Sequence, residues 1–199
     1  MSTPVLVVAT RNEGKLRELR ALLGPLADAR GLDQFPGVPE VVEDGETFEA
    51  NAVKKAKTVA LHTGHVAVAD DSGLEVDALD GAPGVMSARF AGPDATDADR
   101  NRKLLHMLAD TPASGRRARF RCAIAVALPD GVCRTVEAAC EGVILEAPRG
   151  QNGFGFDPVF EVPDLGRSFA ELSGEEKNRI SHRGKALKLA LPLIGTLLK

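Results

Sequence analysis

An α/β fold with a mixed sheet is what this sequence predicts, and three observations carry it. PVLVVAT (4–10) is a β-branched run that feeds directly into TRNEGKLRELRALLGPL, a strand–turn–helix unit. ARFRCAIAVAL (118–128) and VCRTVEAACEGVI (132–144) flank Pro129-Asp130-Gly131, and this long antiparallel hairpin argues against a purely parallel sheet. Helical stretches alternate with the strands, which places helices on the sheet in two lobes with a cleft between them. With 199 residues, 44% of them hydrophobic and 27% charged, the chain has the size and composition of one soluble domain. No repeat or low-complexity linker marks a boundary, so residues 1–199 read as a single domain of two interleaved lobes.

The elements follow in order. Leu16, Leu19, Leu22 and Leu23 share one face of the first helix; Thr10 and Glu13 have capping-box spacing, and Gly24-Pro25 stops it. GLDQFPGVPEVVEDGE (31–46) is a loop. A second helix begins after Thr47, with Ala52, Ala56, Val59 and Ala60 inward and Lys54, Lys55 and Lys57 near its surface. In VAVADDSGLEV (66–76), Val66, Val68 and the small alanines read as a strand that could be buried on both faces, expected to end at Asp70-Asp71 before apolar residues resume at Leu74 and Val76. DGAPGVMSARFAGPDA (80–95) holds too much Gly and Pro to be regular. Thr96 and Asp99 open a third helix through Leu104, Leu105 and Leu108. In the hairpin, Phe120, Cys122, Ile124, Val126 and Leu128 form one face. RGQNGFGFDPVFEVP (149–163) is a glycine-rich loop running into a short strand. Ser173 and Glu176 start a short helix, and residues 183–199 form a terminal helix kinked near Pro192.

Composition narrows the function classes. A net charge of −3 does not suit a nucleic-acid polymer as partner, so an anionic ligand would need a local basic patch. The first apolar run is far too short for a membrane span and shows no targeting pattern, which makes the cytosol the default compartment. Cys122, Cys133 and Cys140 lack CxxC spacing, against a disulfide scaffold or a zinc site. Neither a GxSxG elbow nor a Ser/His/Asp spacing is present, which disfavours covalent hydrolysis.

Five stretches could carry chemistry. Thr10, Asn12, Gly14 and Lys15 put a hydroxyl, an amide, a flexible backbone and an ammonium at a helix N-terminus, where phosphate binds readily; a capped surface helix accounts for the same residues. Glu43, Asp44 and Glu46 on one loop and Asp70-Asp71 after an apolar strand suit Mg²⁺, which takes oxygen ligands from one or two carboxylates plus substrate phosphates; taken alone, Glu43–Glu46 reads as a solvated loop. Adjacent carboxylates beside apolar residues are costly unless something positive meets them. In GFGFD (153–157) a base could stack on Phe154 or Phe156, or both could be core residues. Lys177, His182 and Arg183 could neutralise phosphate or donate to a base carbonyl, or simply complement a helix end. Jointly these point to Mg-assisted phosphate chemistry on a nucleotide. A phosphomonoesterase and a non-catalytic nucleotide-binding module are the competing readings.

TRNEGK, EDGETF–NAVKKA, ADDSGLEVDALDGAPGVMSAR, GFGFDPVF and ELSGEEKNRISHRGKAL, in this order along nearly the whole chain, resemble the inosine triphosphate pyrophosphatase family. The resemblance implies an elongated mixed sheet in two α/β lobes, a homodimer, and cleavage of dITP, ITP or XTP to the monophosphate and pyrophosphate with Mg²⁺. It implies that Thr10, Arg11, Asn12, Glu13, Gly14 and Lys15 hold the triphosphate, with Lys55 and Arg89 adding charge. Glu43 and Asp71 would be metal ligands, Asp71 also the proton acceptor, and Ser72 would touch substrate. Phe154, Gly155, Phe156, Asp157 and Lys177 would frame the nucleoside, and His182 and Arg183 would read the purine 6-oxo group. Ala50 stands where the family carries a glutamate. On this reading the positive partner of Asp70-Asp71 is Mg²⁺ with its triphosphate rather than a lysine held in the core, and Asp70 has no assigned task beyond shaping the local field.

Overall fold

Val5–Val8 forms β1, and its Leu6, Val7 and Val8 are wholly buried. The computed structural model describes residues 3–198. The chain continues through α1 (Glu13–Leu23), β2 (Asp28–Gly31), α2 (Phe48–Thr63), β3 (Val66–Val76), α3 (Asp97–Met107), β4 (Arg117–Ala127) and β5 (Cys133–Ile144). It ends with β6 (Phe160–Val162), β7 (Arg167–Ser168), α4 (Gly174–Ile180) and α5 (His182–Leu197). The strands make a seven-stranded sheet ordered β2-β1-β3-β4-β5-β6-β7. β1 is parallel to β2 and β3, whereas β6 is antiparallel to β5 and β7. β4 returns into β5 through a tight turn in which Leu128 N–H donates to the Val132 carbonyl at 2.8 Å. Neighbours joined so closely are antiparallel, because a parallel pair needs a crossover of about a dozen residues. The expected mixed α/β sheet is the observed one.

The chain divides into two compact units, each assembled from separated segments. The first contains the residues up to Asp71, Cys122–Ala138 and the segment from Arg183. Its core joins Leu16, Leu19 and Leu23 of α1 to Leu6 and Val8 of β1, Val68 of β3, and Ala186, Leu187, Ala190 and Ile194 of α5. On α2, which packs against β1, Ala52, Ala56, Val59 and Ala60 are buried as their spacing predicts. The second unit, Ser72–Arg121 with Ala139–His182, is built on Leu74, Leu104, Phe120, Ile144, Phe160 and Phe169. The alternating stripe of β4 therefore serves two cores: Phe120 belongs to one, and Cys122, Ile124 and Val126 to the other. Ala123, Ala125 and Ala127 between them are also buried, so the strand is covered on both faces.

Local spacing locates three helix starts. Thr47, Thr96 and Ser173 each accept the N–H three residues on, and Asp99 and Glu176 complete the box at the latter two. α1 departs from expectation. Its cap is Asn12, whose Oδ1 accepts the Lys15 N–H at 3.0 Å, while Thr10 Oγ1 accepts the Asn12 N–H at 3.1 Å. Asparagine caps at least as well as threonine and sits one residue before the helical period begins. Gly24 is the C-cap of α1; the side chain of Pro25 lies outside the described residues. β2 was not expected, because DARG has no apolar run; the register Val5↔Asp28 to Val8↔Gly31 against β1 overrides its weak propensity. β3 does not stop at Asp70-Asp71 but runs unbroken to Val76.

Packing of β5 on β6 generates a test. A Cβ on Gly142 would lie 2.3 Å from Phe160 Cζ and 2.5 Å from the Glu161 carbonyl oxygen. Gly142→Ala is expected to destabilise the fold by about 1–3 kcal/mol, the usual effect of overpacking. Chemical denaturation measures it; an unchanged midpoint would contradict this packing.

Candidate active site

Asp70 and Asp71 are 1% and 6% exposed, in the middle of a strand. Successive strand residues face opposite sides of the sheet, so the two carboxylates meet different helices. Asp70 Oδ2 lies 3.2 Å from Lys15 Nζ of α1 and accepts from Arg183 Nε of α5 at 3.1 Å. Arg183, itself 2% exposed, also donates to Glu18 of α1. Burial alone would raise the Asp70 pKa, but the charges of Lys15, Arg183 and Lys55 overcome it and hold the carboxyl far below its ordinary range. The expectation that no lysine meets this pair is therefore corrected: the cost of two buried carboxylates is met by fixed cations, and this lets β3 continue through them.

On the opposite face, Asp71 meets α2. Lys55 Nζ donates to Asp71 Oδ1 at 3.1 Å, to Glu43 Oε1 at 2.5 Å and to the Asp70 carbonyl at 2.8 Å. Lys55, expected near the helix surface, is instead turned inward, with a side chain 11% exposed. Its own burial would lower its pKa, but Asp71, Asp70 and Glu43 raise it, so the ammonium stays charged. For Asp71 the balance is reversed: burial pushes its pKa up, the charge of Glu43 adds to this, and Lys55 and Lys15 compensate only in part. Asn51 Nδ2 donates to Asp71 Oδ2 at 3.2 Å, so both oxygens of Asp71 are held from one helix face.

The acidic loop is sorted by the same contacts. Glu43 shares the Lys55 ammonium with Asp71, whereas Asp44 pairs with Lys54 at 2.6 Å and both side chains are largely exposed. Two carboxylates converging on one cation suit a small divalent ion with oxygen ligands. Among the described residues no group of three or more His, Cys, Asp or Glu gathers to bind metal. A metal at Glu43 and Asp71 would thus complete its shell from phosphate and water, as Mg²⁺ commonly does. Nearby, Thr10–Lys15 forms the β1–α1 turn and the first helical turn, with Arg11 and Glu13 exposed and Gly14 half-buried. Its N–H groups and the Lys15 ammonium are suited to phosphate.

The second unit gathers the aromatic loop. Lys177, 3% exposed, donates to Asp157 Oδ2 at 2.6 Å and lies 4.8 Å over the Phe154 ring. Asp157 Oδ2 also accepts the Phe154 N–H at 2.9 Å. The two readings of the phenylalanines are thereby separated: Phe156 is buried in the core, and Phe154 is the half-exposed ring. α3 grips the Gly155 peptide on both sides, since Asp97 Oδ2 accepts its N–H at 2.6 Å and Asn101 Nδ2 donates to its carbonyl at 3.0 Å. His182 is 3% exposed and stacks on Phe120 with ring centroids 4.6 Å apart. Ser72 is half-buried on β3, and Arg89 is exposed at the end of a 3-10 segment, its Nε near Met86 Sδ.

Glu18, Asn51, Asp97 and Asn101 were not anticipated. A signal existed for Asn51, four residues before Lys55 and so on the same helix face; the others depend on contacts distant in sequence. Asp70 supplies a stability test. Its folded carboxyl titrates well below its ordinary value of 3.8, so its contribution is complete above that pH and is lost as pH falls below it. Asp70→Asn leaves buried Arg183 under-compensated and is expected to remove on the order of 3 kcal/mol at pH near 7. Denaturation of both proteins should show the difference shrinking as the pH is lowered through that range; a difference that grows in acid would contradict the ion pairing.

Comparison with known proteins agrees with this architecture. The sequence pattern of the Ham1 family matches residues 6–193. A dITP/XTP pyrophosphatase of Desulforamulus reducens is 55% identical over 193 residues, covering 96% of each chain, and one of Geobacter sulfurreducens is 53% identical over 191 residues with the same coverage. The structure of a HAM1 protein from Coxiella burnetii superposes with a TM-score of 0.87 at 43% identity, covering 97% of this chain and 99% of that one. A nucleoside-triphosphatase / dITP/XTP pyrophosphatase from Mycobacterium abscessus gives 0.75 at 46% identity, covering 94% and 98%. From β1 to α5, this chain belongs to the Ham1 family.

Proposed function

We propose that this protein is a nucleoside-triphosphate pyrophosphatase that converts dITP, ITP and XTP to the monophosphate and pyrophosphate with Mg²⁺. The observation that carries the reading is the convergence of Glu43 and Asp71 on one Lys55 ammonium beside the Lys15 turn. It occurs in a chain whose relatives bear that activity in their names.

Glu43 and Asp71 would hold the Mg²⁺, which when bound neutralises and polarises the polyphosphate. Lys15, Lys55 and Arg89 add positive charge, and the turn Thr10–Lys15 holds the phosphates. Asp71 orients a water toward the α-phosphorus and accepts its proton. The water oxygen becomes bonded to the α-phosphorus, the bridge to the β-phosphate breaks, and pyrophosphate leaves with the electron pair. Ser72 contacts substrate. The base stacks at Phe154, framed by Gly155, Phe156, Asp157 and Lys177, and His182 and Arg183 at the start of α5 supply donors to its 6-oxo group. Adenine presents an amino group there and leaves donors unpaired, a mismatch that discriminates strongly. The reading includes a homodimer in the cytosol. Among the described residues no helix is long and apolar enough to cross a membrane.

Incubation with dITP, ITP, XTP, GTP and ATP plus Mg²⁺, with product identification, tests the proposal. Pyrophosphate and monophosphate are expected from the first three, with ATP slower by about 10²-fold or more. Release of orthophosphate would point to a phosphomonoesterase and overturn the reading. Asp71→Asn is expected to lose about 10²-fold or more in kcat with the fold intact by circular dichroism; near-normal turnover would remove Asp71 from the chemistry.

A further inference from the structure

Asn51 touches both the acidic loop and Asp71 without carrying a charge. It is 1% exposed on α2. Its Oδ1 accepts the Gly45 N–H at 2.8 Å, its Nδ2 approaches the Gly45 carbonyl at 3.4 Å, and Nδ2 donates to Asp71 Oδ2 at 3.2 Å. Chemistry settles the orientation of the amide: a backbone N–H requires the oxygen on one side, and a carboxylate requires the donor on the other. The loop is fitted to this contact, since a Cβ on Gly45 would stand 2.7 Å from Asn51 Oδ1. Only glycine brings the backbone between Glu43 and Glu46 this close to the amide.

We infer that Asn51 is the positioning residue that sets Glu43 and Asp71 at metal-binding distance from one another. The inference rests on the proposed metal role of these two carboxylates. Lys55, one helical turn on, engages Asp71 Oδ1 and Glu43 through charge. An ammonium at that place competes with a metal for the same oxygens, so it cannot hold the geometry once a metal is bound. Asn51 can, because its neutral amide takes the other oxygen of Asp71 and the Gly45 peptide and leaves both contacts in place. It thereby fixes the rotation of the Asp71 carboxylate and the approach of the loop that bears Glu43. Groups that orient metal ligands in this way commonly change metal affinity or turnover by about 10–100-fold when removed.

The test measures Mn²⁺ binding to the full-length protein by electron paramagnetic resonance, together with kcat and KM for dITP and thermal stability. For Asn51→Ala, Mn²⁺ binding about 10-fold weaker and a comparable fall in kcat are expected, with KM for dITP changed less than about 3-fold. Gly45→Ala disturbs the same contact from the loop side and is expected to show the same split if Asn51→Ala does not fold. Combining the two should cost less than the sum of the single effects. Asp71→Asn separates the two ideas. If wild-type protein binds no Mn²⁺, or Asp71→Asn binds it unchanged, the metal reading falls and this inference with it. If Asp71→Asn loses Mn²⁺ while folded Asn51→Ala, or Gly45→Ala in its place, binds Mn²⁺ and turns over like wild type, the inference alone is overturned.

Discussion

Everything near the candidate site depends on how one strand carries two neighbouring negative charges through the interior. Leaving Asp70 and Asp71 ionised and uncompensated would cost several kcal/mol each. β3 avoids this because strand geometry sends them to opposite faces, where separate helices bring separate cations. Lys15 and Arg183 reach Asp70 from α1 and α5, and Lys55 reaches Asp71 from α2. The placement of α1, α2 and α5 on the sheet is tied to these contacts as well as to the apolar packing of Leu19, Ala56 and Ala190.

The compensation is unequal, and the inequality separates structure from chemistry. Asp70 is over-supplied with positive charge and held firmly ionised. Asp71 is under-supplied and has its pKa raised, and it shares its main cation with Glu43. A carboxylate that two buried fixed cations hold ionised has little left to offer a substrate, whereas one held by a shared ammonium and an amide can exchange that partner. A buried ion network and a reactive group thus occupy consecutive positions of one strand, their roles divided by which way each side chain points.

Much of this was legible in the sequence where the determining interactions are local. Thr47, Thr96 and Ser173 cap helices within three residues of themselves, and the hairpin at Pro129-Asp130-Gly131 closes on its own turn. Legibility failed where the partner is remote. Arg183 is 113 residues from Asp70, so the resumption of apolar residues at Leu74 and Val76 did not by itself show that the strand could run through two carboxylates. β2 is a strand only because β1 offers it an edge, and the grip of Asp97 and Asn101 on Gly155 spans more than fifty residues. The aromatic loop was half legible: local sequence marked Phe154 and Phe156 together, and only packing separates the buried ring from the half-exposed one.

The central claim is that Asp70 and Asp71, adjacent in sequence, do different work. Carboxyl-carbon NMR of the two side chains during titration with Mg²⁺ and a non-hydrolysable dITP analogue tests it most directly. The account predicts that the Asp71 resonance moves with binding while that of Asp70 stays in place. A shift of Asp70 with Asp71 unmoved would contradict it.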